Sequence, residues 1–223
     1  MWRTLSAPEK DLIAARIDSQ DSFNKYGTNA GEICESELPF YPGARLLRVT
    51  NRTPAVGSRY FIQRADDLVP LHRLPEVQSF CDDRFGLVLD SRTAADYFRF
   101  AHYFSREGES TSLVEAPHDL RIDSSSSPER RQAIASIKPL EITRDKDGLT
   151  VTACTFDELR SRLYRDRYRL TPGQPLELLS REDSGINLRS SFHDRQLQIG
   201  RSDLPVPHHI APSTECPYPD SRR

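Results

Sequence analysis

Residues 94–104, Ala-Ala-Asp-Tyr-Phe-Arg-Phe-Ala-His-Tyr-Phe, constrain the fold more than any other segment of the chain. Several apolar residues recur at helical spacing and fall on one face of a helix: Ala94, Tyr97, Phe98, Ala101 and Phe104. Phe100 and Tyr103 widen that face, so the helix is expected to be largely buried. An aromatic stripe at this spacing is typical of a protein core rather than of a cofactor site. A buried helix requires other layers of structure to pack against it.

The segments around this helix alternate in the manner of strands joined by hairpins. Residues 44–50 and 60–62 form one such pair, with turn residues between them. Residues 140–143 and 149–154 form another, around an Asp-Lys-Asp-Gly turn. Hairpins build antiparallel sheets, whereas a parallel sheet needs strand–helix–strand crossovers. The sequence therefore predicts an antiparallel sheet.

The N-terminus predicts a second helix. Ser6 and Glu9 have the spacing of a capping box, in which two side chains satisfy main-chain N–H groups at a helix start. An apolar stripe runs from Leu12 to Tyr26, and Gly27 is predicted to cap the other end of the helix. We therefore expect an α+β fold in which an antiparallel sheet packs against this helix and the aromatic helix.

Residues 160–169, Arg-Ser-Arg-Leu-Tyr-Arg-Asp-Arg-Tyr-Arg, are ambiguous between helix and strand. As a helix, the segment would be capped by Thr155, with Glu158 in the box position. As a strand, it would carry three arginines on one side: Arg165, Arg167 and Arg169. A hairpin precedes the segment and Pro172-Gly173 turns the chain into another strand pattern at residues 176–179. We favour the strand, as part of a C-terminal β-meander.

The arginines of this segment have two interpretations. Arginines with tyrosines between them suit phosphate contacts and base stacking. They also suit the solvated side of an outer strand, where arginine disfavours pairing with a strand of another molecule. The chain has 31 basic and 33 acidic residues, whereas nucleic-acid binders usually have a basic excess. We favour the outer strand, and keep as a hypothesis the binding of an acidic protein, or less readily of nucleic acid, through Arg162, Arg165, Arg167 and Arg169.

The sequence contains no HExxH motif, no glycine-rich phosphate loop and no GxSxG motif. Candidates for an acid–base pair lie in or after the aromatic helix: Asp96, His102, Glu115 and His118. A histidine within an aromatic helix is more typical of a core or boundary position than of catalysis. We predict no metal site and no cofactor. The leading hypothesis is a non-enzymatic protein-interaction or scaffold module, and the alternative is an enzyme with a pocket beside the aromatic helix.

The four cysteines lie far apart in the sequence: Cys34, Cys81, Cys154 and Cys216. None belongs to the close pairs that metal knuckles and redox motifs require. Met1-Trp2-Arg3 precedes a polar helix start rather than the apolar core of a secretion signal. No apolar run approaches the ~18 residues that a membrane helix needs. We expect buried free thiols in a reducing cytoplasm and no association with a membrane.

The 223 residues are expected to form one α+β domain over residues 1–183 and a flexible tail over residues 184–223. Residues 124–138 begin with a serine run and are predicted to be an internal linker or a short helix. The tail contains five prolines and no sustained periodicity, which is typical of a segment without a packed core.

The middle of the chain resembles an uncharacterised family of bacterial proteins, found mainly in alphaproteobacteria. The resemblance covers roughly residues 38–180 and depends on four pieces: Phe40-Tyr-Pro-Gly43, the helix motif Tyr97–Phe104, Leu113-Val-Glu115 and the strands within 149–179. Family members carry leucine after the first tyrosine of the helix motif, where this chain has Phe98. Their late segment looks extended, which agrees with a strand over the arginines. The family has no assigned function, so the resemblance implies no site residue.

Overall fold

The computed structural model of the chain describes residues 2–20, 30–52, 58–71, 78–104, 111–120, 128–146 and 148–188. Within these ranges, helices accompany two five-stranded antiparallel sheets, which confirms the α+β class predicted from the sequence. The strands are divided between two sheets rather than gathered in one. None of the helices in the described ranges is long and apolar enough to cross a membrane.

The first sheet contains five strands in chain order, joined by antiparallel pairs. Their bounds are β1 (Arg3–Thr4), β2 (Ala30–Glu37), β3 (Arg45–Asn51), β4 (Ser58–Arg64) and β5 (Asp67–Pro70). Leu46 of β3 lies opposite Ile62 of β4, which confirms the first predicted hairpin. Because side chains alternate along a strand, this pair faces one side of the sheet and the next pair, Leu47 and Phe61, faces the other.

Helix α1 (Ala7–Gln20) covers the side of the first sheet on which Leu47 and Phe61 lie. Ile13 and Ile17 of α1 are buried in the same apolar cluster as these two residues. Burying an aliphatic side chain of this size stabilises a fold by about 1.5–3 kcal/mol. The N-terminal helix therefore packs on the sheet through Ile13 and Ile17, whereas Leu12, the first residue of the predicted stripe, is 60% exposed.

The predicted pairing of Ser6 with Glu9 is present at the start of α1. The Ser6 main-chain N–H donates to Glu9 Oε2 over 2.9 Å, and Ser6 Oγ donates to the same oxygen over 2.7 Å. Only half of a capping box is formed, because the Ser6 hydroxyl donates to Glu9. The predicted continuation of the helix to Tyr26 and its cap at Gly27 lie outside the described residues.

The second sheet is formed by β6 (Thr111–Leu113), β7 (Glu141–Asp145), β8 (Gly148–Asp157), β9 (Arg162–Leu170) and β10 (Glu177–Asn187). Its order is β10, β9, β8, β6, and β7 also pairs with β8. The run from β7 to β10 is the predicted C-terminal meander, and the strand interpretation of the arginine segment is confirmed. β10 continues to Asn187, beyond the boundary expected after residue 183.

Two helices link the sheets: α2 (Gln78–Phe85) and α3 (Ala94–Phe104). Helix α3 is the aromatic helix, and it lies between the two sheets. Its Phe104 ring is 5.2 Å from Tyr60 of β4, and its Phe98 ring is 5.3 Å from Tyr168 of β9. Its buried residues are Ala94, Tyr97, Phe98, Phe100, Ala101 and His102, which confirms the prediction of a largely buried helix. The helix therefore forms the middle layer of the core.

A fourth helix, α4 (Pro128–Ser136), covers one end of the outer side of the second sheet. Its Ala133 is fully buried in a cluster with Phe156 of β8 and Leu163 of β9. The helix lies within the segment for which the sequence predicts a linker or a short helix, and residues 121–127 before it are outside the described ranges. The other end of this side of the sheet is where the arginines of β9 lie.

A buried carboxylate connects the helices to the second sheet. Asp82 of α2 accepts hydrogen bonds from Tyr41 Oη over 2.6 Å, Tyr97 Oη over 2.9 Å and the Gly173 N–H over 2.6 Å. Burial raises the pKa of Asp82 above its usual range, and these hydrogen bonds partly oppose that shift. The carboxylate fixes the turn after β9 against α2 and α3.

Cys34, Cys81 and Cys154 are free thiols, and all are buried. This confirms the prediction of buried free thiols for these residues, whereas Cys216 lies outside the described ranges. Burial raises the pKa of Cys81 to about 12, so this thiol is protonated at neutral pH.

Candidate binding surface on the second sheet

The side chains of β9 alternate between the core and the outside of the second sheet. Tyr164, Asp166 and Tyr168 are buried on the inner side, as period-two alternation requires. The outward residues are the three arginines predicted to share one side: Arg165, Arg167 and Arg169. We call the outer surface of β7, β8, β9 and β10 around these three residues the arginine face.

Neighbouring strands place hydroxyl and carboxylate groups around the arginines. Arg167 lies opposite Thr152 of β8 and Ser180 of β10. On β10, Glu177 lies opposite Arg169, and Glu182 opposite Arg165. The face is therefore a mixed polar surface rather than a block of positive charge.

Two of the three arginines form ion pairs across the sheet. Arg165 Nη2 is 2.8 Å from Glu141 Oε2 on β7, and Arg169 Nη1 is 3.2 Å from Glu177 Oε2 on β10. The two glutamate side chains are 57% and 58% exposed, so water competes for both pairs. Exposed pairs of this kind contribute about 0.2–1 kcal/mol. They hold the arginines in place only weakly.

Arg167, at the centre of the arginine face, is exposed. Within the described ranges it forms no ion pair, and Thr152 and Ser180 beside it are neutral. A guanidinium has five N–H donors in a planar fork that matches a carboxylate. Arg167 is thus free to accept an external anion between two weakly paired neighbours.

Arg162, the fourth predicted arginine, lies apart from the other three. By alternation along β9 it belongs to the opposite side of the strand, and it forms an ion pair with Asp183 of β10. The structure therefore brings together three of the four predicted binding arginines.

Behind the arginine face, Asp166 links β9 to both neighbouring strands. Thr155 Oγ1 of β8 donates to its Oδ2 over 2.6 Å, and Arg181 of β10 binds both oxygens at 2.9 and 2.7 Å. These bonds to Asp166 raise the pKa of Arg181, which stays charged. This pair was not predicted, although an aspartate among the inward-facing positions of a strand signals a buried partner.

The face as a whole is electrically balanced. Three arginines are offset by three glutamates on the same side: Glu141, Glu177 and Glu182. A surface that grips nucleic-acid phosphates needs an excess of positive charge. The face therefore has no excess of positive charge.

Two of the acid–base candidates near α3 meet at one arginine. Arg99 Nε and Nη2 bind the two oxygens of Glu115 at 2.8 and 2.7 Å, and Arg99 Nη1 binds Asp96 Oδ1 at 2.8 Å. All three side chains are mostly buried. Paired in this way, the two carboxylates stabilise the junction of α3 with the segment after β6.

The two candidate histidines differ in environment. The His102 ring is 5.6 Å from Phe98 and 5.8 Å from Tyr168, and the residue is 4% exposed. His118 is 59% exposed, with its Nε2 3.6 Å from Asp119 Oδ1. His102 thus occupies the core position that is typical of a histidine in an aromatic helix, and His118 lies at the surface.

Within the described part of the chain, no group of three or more His, Cys, Asp or Glu side chains is arranged to hold a metal ion. No family model, curated protein or solved structure matches the chain.

Proposed function

We propose that the protein is a non-enzymatic interaction module that binds an acidic protein segment through the arginine face. The observation that carries this proposal is the position of Arg167. It is exposed, it forms no ion pair within the described ranges, and it lies between Arg165 and Arg169 on one strand.

The flanking ion pairs suit an exchange of partners. Because the Arg165–Glu141 and Arg169–Glu177 pairs are exposed, replacing their glutamates with carboxylates from a partner costs little. A guanidinium binds a carboxylate through two parallel N–H donors, which gives geometric selectivity as well as attraction. The three arginines along β9 can bind up to three carboxylates of a partner. Arg167 binds the first without displacing a glutamate, and Arg165 and Arg169 bind the others by exchange.

Charge distinguishes a protein partner from nucleic acid. The glutamates of the arginine face repel a continuous row of phosphates, and the whole chain has a net charge of −2. A protein segment can place carboxylates opposite the arginines and neutral side chains opposite the glutamates. The pattern of the face therefore supports an acidic protein partner.

A peptide titration tests the proposal. A glutamate-rich peptide, a glutamine-rich peptide of equal length and a single-stranded oligonucleotide are each added to the ¹⁵N-labelled full chain. We expect amide shifts with the glutamate-rich peptide alone, confined to residues around Arg167 on β8, β9 and β10. Arg167→Gln should abolish them, whereas Arg92→Gln, which alters an exposed arginine elsewhere, should not.

Two results would count against the proposal. Shifts at other surfaces, or shifts that persist in Arg167→Gln, would show that the arginine face is not the site. Stronger binding of the oligonucleotide with a steep salt dependence would favour the nucleic-acid alternative instead.

A further inference from the structure

A second arginine lies among aromatic residues on the first sheet, far in sequence from the arginine face. Arg48 is in the middle of β3, directly opposite Cys34 of β2 and Tyr60 of β4. It is partly exposed, on the side of the sheet that faces α3. The N-terminal Trp2 lies over it, with the guanidinium carbon 5.0 Å from the centre of the indole ring.

The polar contacts of Arg48 are weak for a guanidinium. Its Nη2 donates to Cys34 Sγ over 3.6 Å, and its Nε is buried with no hydrogen-bond partner. Within the described residues it forms no ion pair, whereas the partly buried Arg99 and Arg181 each bind both oxygens of a carboxylate. Arg48 is thus a partly buried cation without an anion.

This arrangement leaves an N–H donor of a charged group unsatisfied. A buried donor without an acceptor lowers the stability of the fold, and the loss is larger when the group is charged. The attraction of Trp2 for the cation offsets part of that cost but supplies no acceptor oxygen. Because Nε itself is sealed from solvent, an external anion would bind the Nη groups and supply the missing countercharge rather than an acceptor for Nε.

Aromatic rings border Arg48 and continue to the end of α3. The Tyr60 ring is 6.5 Å from Trp2, 5.6 Å from Tyr103 and 5.2 Å from Phe104. Trp2, Tyr60, Tyr103 and Phe104 are each partly exposed. Partly exposed rings next to a cation provide apolar contact for a flat ligand and an electrostatic anchor for its charge.

The neighbouring charge limits the ligand to a single negative charge. Glu32 lies on the same side of β2, two residues from Cys34, and its carboxylate accepts a hydrogen bond from Thr4 over 3.2 Å. A single guanidinium compensates a monoanion better than a dianion, and the negative charge of Glu32 on the same side of the sheet adds repulsion. This disfavours phosphate and favours a carboxylate.

We propose that Trp2, Arg48, Tyr60 and Tyr103 form a binding site for a small aromatic monocarboxylate. Arg48 would bind the carboxylate, and the rings of Trp2 and Tyr60 would contact the aromatic body of the ligand. This site is separate from the arginine face and does not depend on the function proposed for that face.

Trp2 makes the proposal directly testable, because it is the single tryptophan of the sequence. Its indole N–H gives one resonance that reports on this site in the ¹⁵N-labelled full chain. The probes are benzoate, its neutral analogue benzamide, acetate and inorganic phosphate, each added at constant ionic strength. We expect a saturable shift with benzoate and at least tenfold weaker responses with the other three, since the ligand needs both the ring and the single charge.

Substitutions at Arg48 test the anchor. Arg48→Gln should weaken benzoate binding by about tenfold or more, because a hydrogen-bonded ion pair is lost. Arg48→Lys keeps the charge without the planar fork and should bind with intermediate affinity. Arg92→Gln, at an exposed position outside both proposed sites, should bind benzoate as the unchanged protein does.

The proposal is overturned if benzamide binds as tightly as benzoate, if phosphate binds more tightly, or if benzoate leaves the indole resonance unmoved. The comparison of the four probes requires only the unchanged protein. It therefore decides the question even if a substitution at Arg48 prevents folding.

Discussion

Arg181 binds both oxygens of Asp166 at 2.9 and 2.7 Å, and so joins β10 to β9 directly behind the arginine face. Asp166 is fully buried, whereas the Arg181 side chain is 27% exposed. Thr155 and Tyr168 donate to the same carboxylate. The outward arginines therefore lie on a strand that is fixed from its inner side.

Removing the cation should destabilise the fold strongly. Arg181→Met leaves the Asp166 carboxylate buried without a cation. Breaking a buried pair in this way lowers the free energy of unfolding by about 3–5 kcal/mol. We expect the lower end of this range, because the Arg181 side chain is partly exposed. Urea unfolding followed by circular dichroism measures the change. Arg162→Met, which breaks the exposed pair with Asp183, is the matched control and should cost less than about 1 kcal/mol. Equal effects of the two substitutions would refute the structural role of Asp166.

The raised pKa of Asp82 predicts a pH-dependent contribution to stability. The pKa of the folded state lies above the unfolded value of about 3.9, so the folded state holds the proton more tightly. This contribution is fully present below the unfolded pKa and is lost as pH rises through the folded pKa. Asp82→Asn removes it, so the stability advantage of the unchanged protein over the variant should shrink from pH 4 towards neutrality.

The substitution of Asp82 should also destabilise at every pH. An asparagine that accepts from Tyr41 turns its own N–H₂ towards the Gly173 N–H, so two donors meet. Urea unfolding across the pH range measures both effects. A difference between Asp82→Asn and the unchanged protein that stays constant with pH would contradict the burial account of the Asp82 pKa.

The turn at Gly173 requires glycine for its backbone conformation. Gly173 has a φ of 72°, and the Gln174 N–H donates to the Thr171 carbonyl over 3.1 Å across the Pro172-Gly173 pair. The nearest atom to a Cβ at this position is Ser79 Cβ at 4.0 Å, so space is not limiting. Gly173→Ala should cost about 1–2 kcal/mol through backbone strain alone. A loss of stability below about 0.5 kcal/mol in thermal or urea unfolding would contradict the left-handed assignment.

Local patterns made part of this fold predictable. Helix α3 follows from the spacing of its aromatic residues, and the outward position of Arg165, Arg167 and Arg169 follows from the two-residue period of a strand. The turn at Pro172-Gly173 follows from the conformational preferences of those two residues. In each case the relevant interactions lie within a few residues of one another.

Contacts between distant residues could not be predicted from the sequence. Asp82 and Gly173 are 91 positions apart, and no periodicity connects them. The pairing of Arg181 with Asp166 depends on a register irregularity between Leu178 and Ser180. The division of the strands into two sheets with α3 between them also depends on which hairpins pair with each other, and alternation alone does not specify that.

The same distinction applies to the candidate sites. The arginine row could be read from the sequence, but the pairing of two arginines and the free position of Arg167 depend on neighbouring strands. Arg48 has no sequence signature, because its environment combines the N-terminus, three strands and the end of α3. Its missing acceptor becomes visible only when these elements are brought together.

The central claim is that Glu141 and Glu177 compete with an acidic partner, because their ion pairs with Arg165 and Arg169 must break before the partner binds these arginines. Its most direct test is the affinity of the glutamate-rich peptide for the double variant Glu141→Gln, Glu177→Gln, measured by calorimetry. We predict an increase of about twofold to thirtyfold over the unchanged protein, since each of the two exposed pairs contributes about 0.2–1 kcal/mol. The control with the same change in net charge, Asp11→Asn with Glu37→Gln, should bind as the unchanged protein does. An affinity that is unchanged or lower in the double variant would contradict the claim.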